Sequence, residues 1–119
     1  MPVPLYQSKA EFFRTLGHPA RIRVLELLGD GPSAVRDLLA AMDIEAASMS
    51  QQLAVLRRAG VVSKLPDGRY ELACPEVAEL LRAARGILTQ ILVSQNDLLD
   101  ALRDESKANA DDAVVVVPA

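Results

Sequence analysis

A chain of 119 residues is one domain's length, and with half its residues apolar it can build a core. The four Phe and Tyr residues and the absence of Trp leave that core to Leu, Val, Ile and Ala, a composition that suits helices. A formal net charge of −3 excludes a protein that grips nucleic acid by overall basicity, and one cysteine excludes an internal disulfide. No run nears the ~20 apolar residues of a membrane span and the start shows no signal peptide, so the chain reads as cytoplasmic. The charge is uneven. Between Ala46 and Ala73, Arg57, Arg58, Lys64 and Arg69 outnumber Asp67 and Glu71; from Ser94 onward six carboxylates outnumber Arg103 and Lys107.

Met1 to Pro4 reads as an irregular arm. Leu5 to Leu16 is predicted as a first helix, with Leu5, Phe12, Phe13 and Leu16 sharing one apolar side and Gly17 ending it. His18-Pro19 opens a second helix to Leu28, since proline is pre-set for the first helical position. Ile22, Leu25 and Leu28 form its buried face, which leaves Arg21 and Arg23 for phosphates or acidic neighbours. Gly29-Asp30-Gly31-Pro32 is a turn. Ser33 is expected to cap a third helix, Ala34 to Met42, striped by Val35, Leu38, Leu39 and Met42.

After the connector Asp43-Ile44-Glu45 comes the stretch around which the chain is organised, Ala46 to Ala59. Its front is small and polar: Ala46, Ala47, Ser48, Ser50, Gln51 and Gln52. Its back is apolar at helical spacing: Met49, Leu53 and Leu56. Arg57 and Arg58 fall in the last turn, where cations complement the helix dipole, and Gly60 stands where a helix end takes a left-handed residue. Such a helix suits a DNA major groove, because Ser and Gln can hydrogen-bond base edges and alanines let the backbone approach closely. With the preceding helix and its short turn it makes a helix-turn-helix. Val61 to Leu65 and Arg69 to Ala73 are strands joined by Pro66-Asp67-Gly68, a hairpin that reads as a wing, with Lys64 and Arg69 placed for phosphates or a minor groove.

Cys74-Pro75 precedes a last helix to about Arg103, with Glu76 and Glu79 in its first turn. Leu80, Ala84, Ile87, Ile91, Leu98 and Leu102 recur at roughly 3.5-residue spacing, a seam that calls for a partner helix, most simply from a second copy; the first helix of the same chain could cover part of it. The fold class is therefore mainly α with a small β-hairpin: a winged helix-turn-helix of four helices, hairpin and helix. Residues 1–104 form the domain, and residues 105–119, ending in Val114 to Val117 and Pro118-Ala119, read as a disordered tail.

Three segments together, Leu16-Gly17-His18-Pro19-Ala20-Arg21-Ile22-Arg23-Val24-Leu25, Ser48 to Val62, and Gly68-Arg69-Tyr70, resemble the arsenic-repressor (ArsR/SmtB) type of small bacterial winged-helix regulators. The likeness spans roughly Phe12 to Leu92. It implies a homodimer joined by the first and last helices, a repressor on a pseudo-palindromic operator, and release by an effector or oxidant. By position, Ala47, Ser48, Ser50 and Gln51 match the family's base-reading face and Arg69 its wing arginine. The chain departs from the family's metal sensors. Where many carry Cys-x-Cys, this one reads Ser33-Ala34-Val35, and Asp97 and Asp100 occur in the last helix without a histidine. His18 is expected to cap or pack rather than bind metal. No metal or cofactor is expected, and the effector is unnamed.

Cys74 is the single redox candidate, its thiolate favoured by the helix dipole and opposed by Glu76 and Glu79; the alternative is a small residue filling a junction. The candidate set is thus Ala47, Ser48, Ser50, Gln51, Gln52, Arg57, Lys64 and Arg69 for DNA, and Leu80, Ala84, Ile87, Ile91 and Leu98 for the dimer. A winged-helix module that binds protein rather than DNA is the other class of reading, and the cations on helix and wing argue against it. An enzyme is weaker still, since one His, one Cys and no Gly-rich phosphate loop leave no nucleophile–base pair.

Overall fold

In the computed structural model, which describes residues 2–108, the elements run α1 (Leu5–Leu16), α2 (Pro19–Leu28), α3 (Val35–Ala41), α4 (Ala46–Arg58), β1 (Val62–Lys64), β2 (Tyr70–Leu72) and α5 (Glu76–Ala108). This is the mainly helical, single-hairpin order expected of a winged helix-turn-helix. Helix α5 passes its expected end near Arg103 and takes in Glu105 to Ala108, residues expected to belong to the tail. The valine run from Val114 to Val117 lies outside the described residues.

Local chemistry sets most boundaries. His18 caps α2: its Nδ1 accepts from the Ala20 N–H at 3.1 Å, with Pro19 in the first turn. Arg21 is half-buried and donates from Nη1 to the Thr15 carbonyl at 2.9 Å, so it ties the end of α1 to the start of α2 rather than facing phosphates. Helix α4 ends in a Schellman motif. The Val61 N–H reaches the Leu56 carbonyl, the Gly60 N–H reaches that of Arg57, and Gly60 sits at φ +78°, which a side chain would strain. Leu56 and Val61 are both buried, supplying the apolar contact that accompanies this cap.

The expected Ser33 cap is not made. Helix α3 starts from Ala34 without a side-chain cap, and Ser33 pairs instead with β2. Its N–H donates to the Tyr70 carbonyl at 2.9 Å, and the Tyr70 N–H donates to the Ser33 carbonyl at 2.8 Å. Strands β1 and β2 are antiparallel, pairing Val62 with Leu72, Ser63 with Glu71 and Lys64 with Tyr70. Tyr70 thus lies between Lys64, its register partner, and Ser33, which takes both of its main-chain bonds, and this anchors the hairpin to the segment leading into α3.

The chain divides into two compact units, Met1–Leu81 and Arg82–Ala119. The core lies in the first: Leu16, Val24, Leu25, Leu28, Leu38, Met49, Leu53, Leu56, Val61, Val62 and Val77. In it α4 packs on α2, α3 and β1. The shared apolar side expected of α1 splits. Leu16 is buried and Phe12 packs on the core, but Leu5 is 70% and Phe13 54% exposed. Phe13 follows Phe12 by one residue, roughly 100° around the helix, and so cannot face the same core. The second unit is α5 from Arg82, with Ile87, Leu88, Ile91, Leu92, Val93 and Leu98 exposed. Among the described residues no helix is long and apolar enough to cross a membrane.

Candidate nucleic-acid interface and helix seam

Helix α4 has two faces of different character. Met49, Gln52, Leu53 and Leu56 recur at three- and four-residue steps and are buried. The other side shows Ala47, Ser50, Gln51, Ala54, Arg57 and Arg58 exposed and Ser48 half-buried. Because one face is locked in the core, the other presents its hydroxyl and amide groups from a fixed helix, as base-edge contacts require.

Gln52 is the exception among the expected DNA residues. It is 8% exposed, on the same side as Met49, Leu53 and Leu56, and its Oε1 is buried with no hydrogen-bond partner among the described residues. A side chain turned into the core cannot reach a base edge, so Gln52 leaves the candidate set. An orphaned buried acceptor costs about 1–3 kcal/mol. Gln52→Met should therefore raise stability by about 1 kcal/mol, read as a higher urea midpoint, and leave DNA preference unchanged. A lower midpoint would mean that the carbamoyl oxygen makes a bond the protein needs.

The hairpin carries the other cations, Lys64 and Arg69, both exposed. Lys64 Nζ lies 5.9 Å from the centre of the Tyr70 ring, a cation–π distance. Arg69 is paired with Asp67, Nε to Oδ2 at 2.8 Å. The main-chain and side-chain bonds from Arg69 hold the Asp67 carboxyl below the usual carboxylate range. The turn between the strands is closed by Gly68 N–H to Leu65 carbonyl at 2.9 Å and Leu65 N–H to Arg69 carbonyl at 2.7 Å. Pro66 suits its second position, and Gly68 its positive φ of +89°.

Cys74 is exposed and borders a cleft of about 300 Å³ whose other walls include Phe12, Val61, Val77 and Leu80. Its thiol donates to Glu76 Oε2 at 3.5 Å. That bond, and then the repulsion between a thiolate and the carboxylate, push the thiol above its ordinary value. Alkylation of Cys74 by iodoacetamide should accordingly need a higher pH than an ordinary thiol, because only the thiolate reacts. Glu76→Gln should move the rate profile to lower pH, and an unmoved profile would remove the carboxylate as the cause. Among the described residues no three His, Cys, Asp or Glu side chains converge as metal ligands would.

The seam residues part company along α5. Leu80 packs on the core of the first unit and Ala84 is half-buried, while Ile87, Ile91 and Leu98 are exposed. Those three, with Gln90, Ser94 and Gln95, line a groove of about 420 Å³.

Residues 16–64 match the model of a helix-turn-helix domain family. The chain is 50% identical over 104 residues to the HTH-type transcriptional regulator Rv0081 of Mycobacterium tuberculosis, covering 84% of this chain and 91% of that one. The crystal structure of Rv0081 superposes with a TM-score of 0.71 over 79% of this chain and 98% of that chain. The biofilm growth-associated repressor of Agrobacterium fabrum is 35% identical over 94 residues, 73% of this chain and 80% of that protein. A transcriptional repressor SmtB homolog of Synechocystis is 38% identical over 79 residues, 64% and 60% of the two chains.

Proposed function

Because the chain belongs to the ArsR/SmtB type of winged helix-turn-helix transcriptional regulators and is a DNA-binding repressor of that kind, we propose that it works as a homodimer on a pseudo-palindromic operator. Each protomer reads one half-site with α4 and the hairpin of residues 61–73, the partner copy covering the α5 seam. The observation that carries this reading is the outward face of α4. Ala47, Ser50 and Gln51 stand exposed opposite a buried face, and the cations Arg57, Lys64 and Arg69 are exposed on the same helix and the following hairpin. Ala47 and Ser48 permit close approach, Ser50 and Gln51 contact base edges, and the cations meet phosphates or a minor groove. The apolar side chains left in water on α5 support the second copy. Release follows a signal outside thiolate–metal chemistry, since the place of the family's Cys-x-Cys pair reads Ser33-Ala34-Val35.

A gel shift on the promoter beside the chain's own gene, in excess competitor DNA, tests the reading. Gln51→Ala should relax base preference at one position of each half-site, at ~1–3 kcal/mol of discrimination. Arg69→Ala should weaken binding to all sequences and lower the slope of log affinity against log salt by about 0.9 for each phosphate no longer neutralised. Equal losses on specific and random DNA in both variants would defeat this division of roles. Zinc at micromolar level should leave the complex intact.

A further inference from the structure

The tip of the hairpin carries a carboxylate on a surface read here as facing DNA, and that carboxylate holds the neighbouring arginine twice. We propose that Asp67 is a positioning residue for DNA recognition: it clasps Arg69 so that the guanidinium meets the duplex in one preset orientation, and its charge limits the grip on DNA of any other sequence. The inference rests on the reading of the hairpin as a DNA-facing wing.

Asp67 Oδ1 accepts the Arg69 main-chain N–H at 3.0 Å, and Oδ2 accepts the Nε–H at 2.8 Å. One carboxylate therefore fixes both the backbone and the side chain of the same residue. Nε is the inner nitrogen of the guanidinium, so holding it sets the plane of the group. Among the described residues neither outer nitrogen of Arg69 makes a hydrogen bond, which leaves the fork that recognises phosphate and groove acceptors available. The clasp is not what makes the turn, because Leu65, Gly68 and Arg69 close it through main-chain bonds.

The pair is half-exposed, at 47% for Arg69 and 54% for Asp67, so its attraction contributes little to stability. Its consequence lies in binding. An arginine on a free stem loses rotamer freedom when it docks, and one already held loses less. A carboxylate at the tip is also repelled by phosphates, and the repulsion is offset most where the preset fork of Arg69 meets its acceptors. On a mismatched duplex Arg69 still meets phosphates but not in that orientation, so more of the penalty stays, which is how a repulsive element adds specificity. The contacts with Arg69 keep the carboxyl below its usual range, so the clasp remains charged at neutral pH.

The test uses the full chain, a duplex selected by it from a random-sequence pool, and a scrambled duplex of equal length, with affinities followed by fluorescence anisotropy over a salt series. Asp67→Asn should tighten the scrambled duplex about two- to fivefold, the range set by one exposed charge pair. It should steepen the salt slope by about 0.9 per protomer. The selected duplex should gain less, so the ratio between the two falls. Asp67→Glu keeps the charge but moves the carboxylate. It should weaken the selected duplex more than the scrambled one, and do nothing further on an Arg69→Ala background. Equal tightening on both duplexes, or an unchanged ratio and slope, would overturn the clasp while Arg69→Ala still weakened binding. Arg69→Ala without effect on either duplex would instead overturn the wing reading itself.

Discussion

Ile91→Glu should turn the protein into a folded monomer that no longer holds its operator. Ile91 is 45% exposed within the chain, between Ile87 at 58% and Leu98 at 55%. Ile91 belongs neither to the core nor to the residues packed against it, so a carboxylate there leaves the core intact. Against a second copy of α5 it would be driven into an apolar contact without a partner, which a charge does not tolerate. Sedimentation should show half the mass of the wild type with the helical circular dichroism retained. Without the second half-site, operator affinity should fall by about 10²-fold or more, because that site is no longer delivered at high effective concentration. Asn96→Glu, also on α5 but off the seam, should leave both mass and binding unchanged. A folded dimer in the Ile91→Glu variant would place the interface elsewhere.

Leu56→Ala should have the largest effect on folding itself. Leu56 is completely buried, and its carbonyl accepts the Val61 N–H in the cap that turns α4 into β1. Removing its side chain leaves a cavity under both elements. Large-to-small changes at such sites cost about 2–5 kcal/mol, set against about 5–15 kcal/mol for a whole domain. The urea midpoint should fall accordingly at fixed protein concentration, which matters if folding and association are linked. Ser50→Ala, on the exposed face of α4, should stay within about 0.5 kcal/mol of the wild type. Similar midpoints for the two variants would mean that α4 is not anchored as its burial indicates.

The sequence by itself determined the elements and their order, because the signals that set them are local. Gly17, then His18-Pro19, ends one helix and starts the next within a few residues. The spacing of Met49, Leu53 and Leu56 states which side of α4 faces inward. Gly60 and Gly68 stand where the backbone needs positive φ, at +78° and +89°. Pro66-Asp67-Gly68 states the turn. The outward side of α4 followed from the same period: Ala47, Ser50 and Gln51, proposed to face base edges, are exposed.

The tertiary structure decided what distant segments do to one another. Ser33 has the chemistry of a helix cap, but a strand far along the chain offers its backbone a two-bond pairing through Tyr70, and the pairing is made instead. Gln52 has the polarity of a surface residue, yet a helix has one azimuth for each position, and that of Gln52 falls beside Leu56, at the edge of the buried side. Phe13 is apolar enough for a core and is left outside it, because Phe12 and Leu16 already take the side of α1 that faces the core. Arg21 is drawn to the Thr15 carbonyl, Cys74 to Glu76, and Arg69 to Asp67. Composition and period report how a residue is disposed on its own element. Its partners depend on which surface the rest of the chain brings against that element, and only packing in three dimensions sets that.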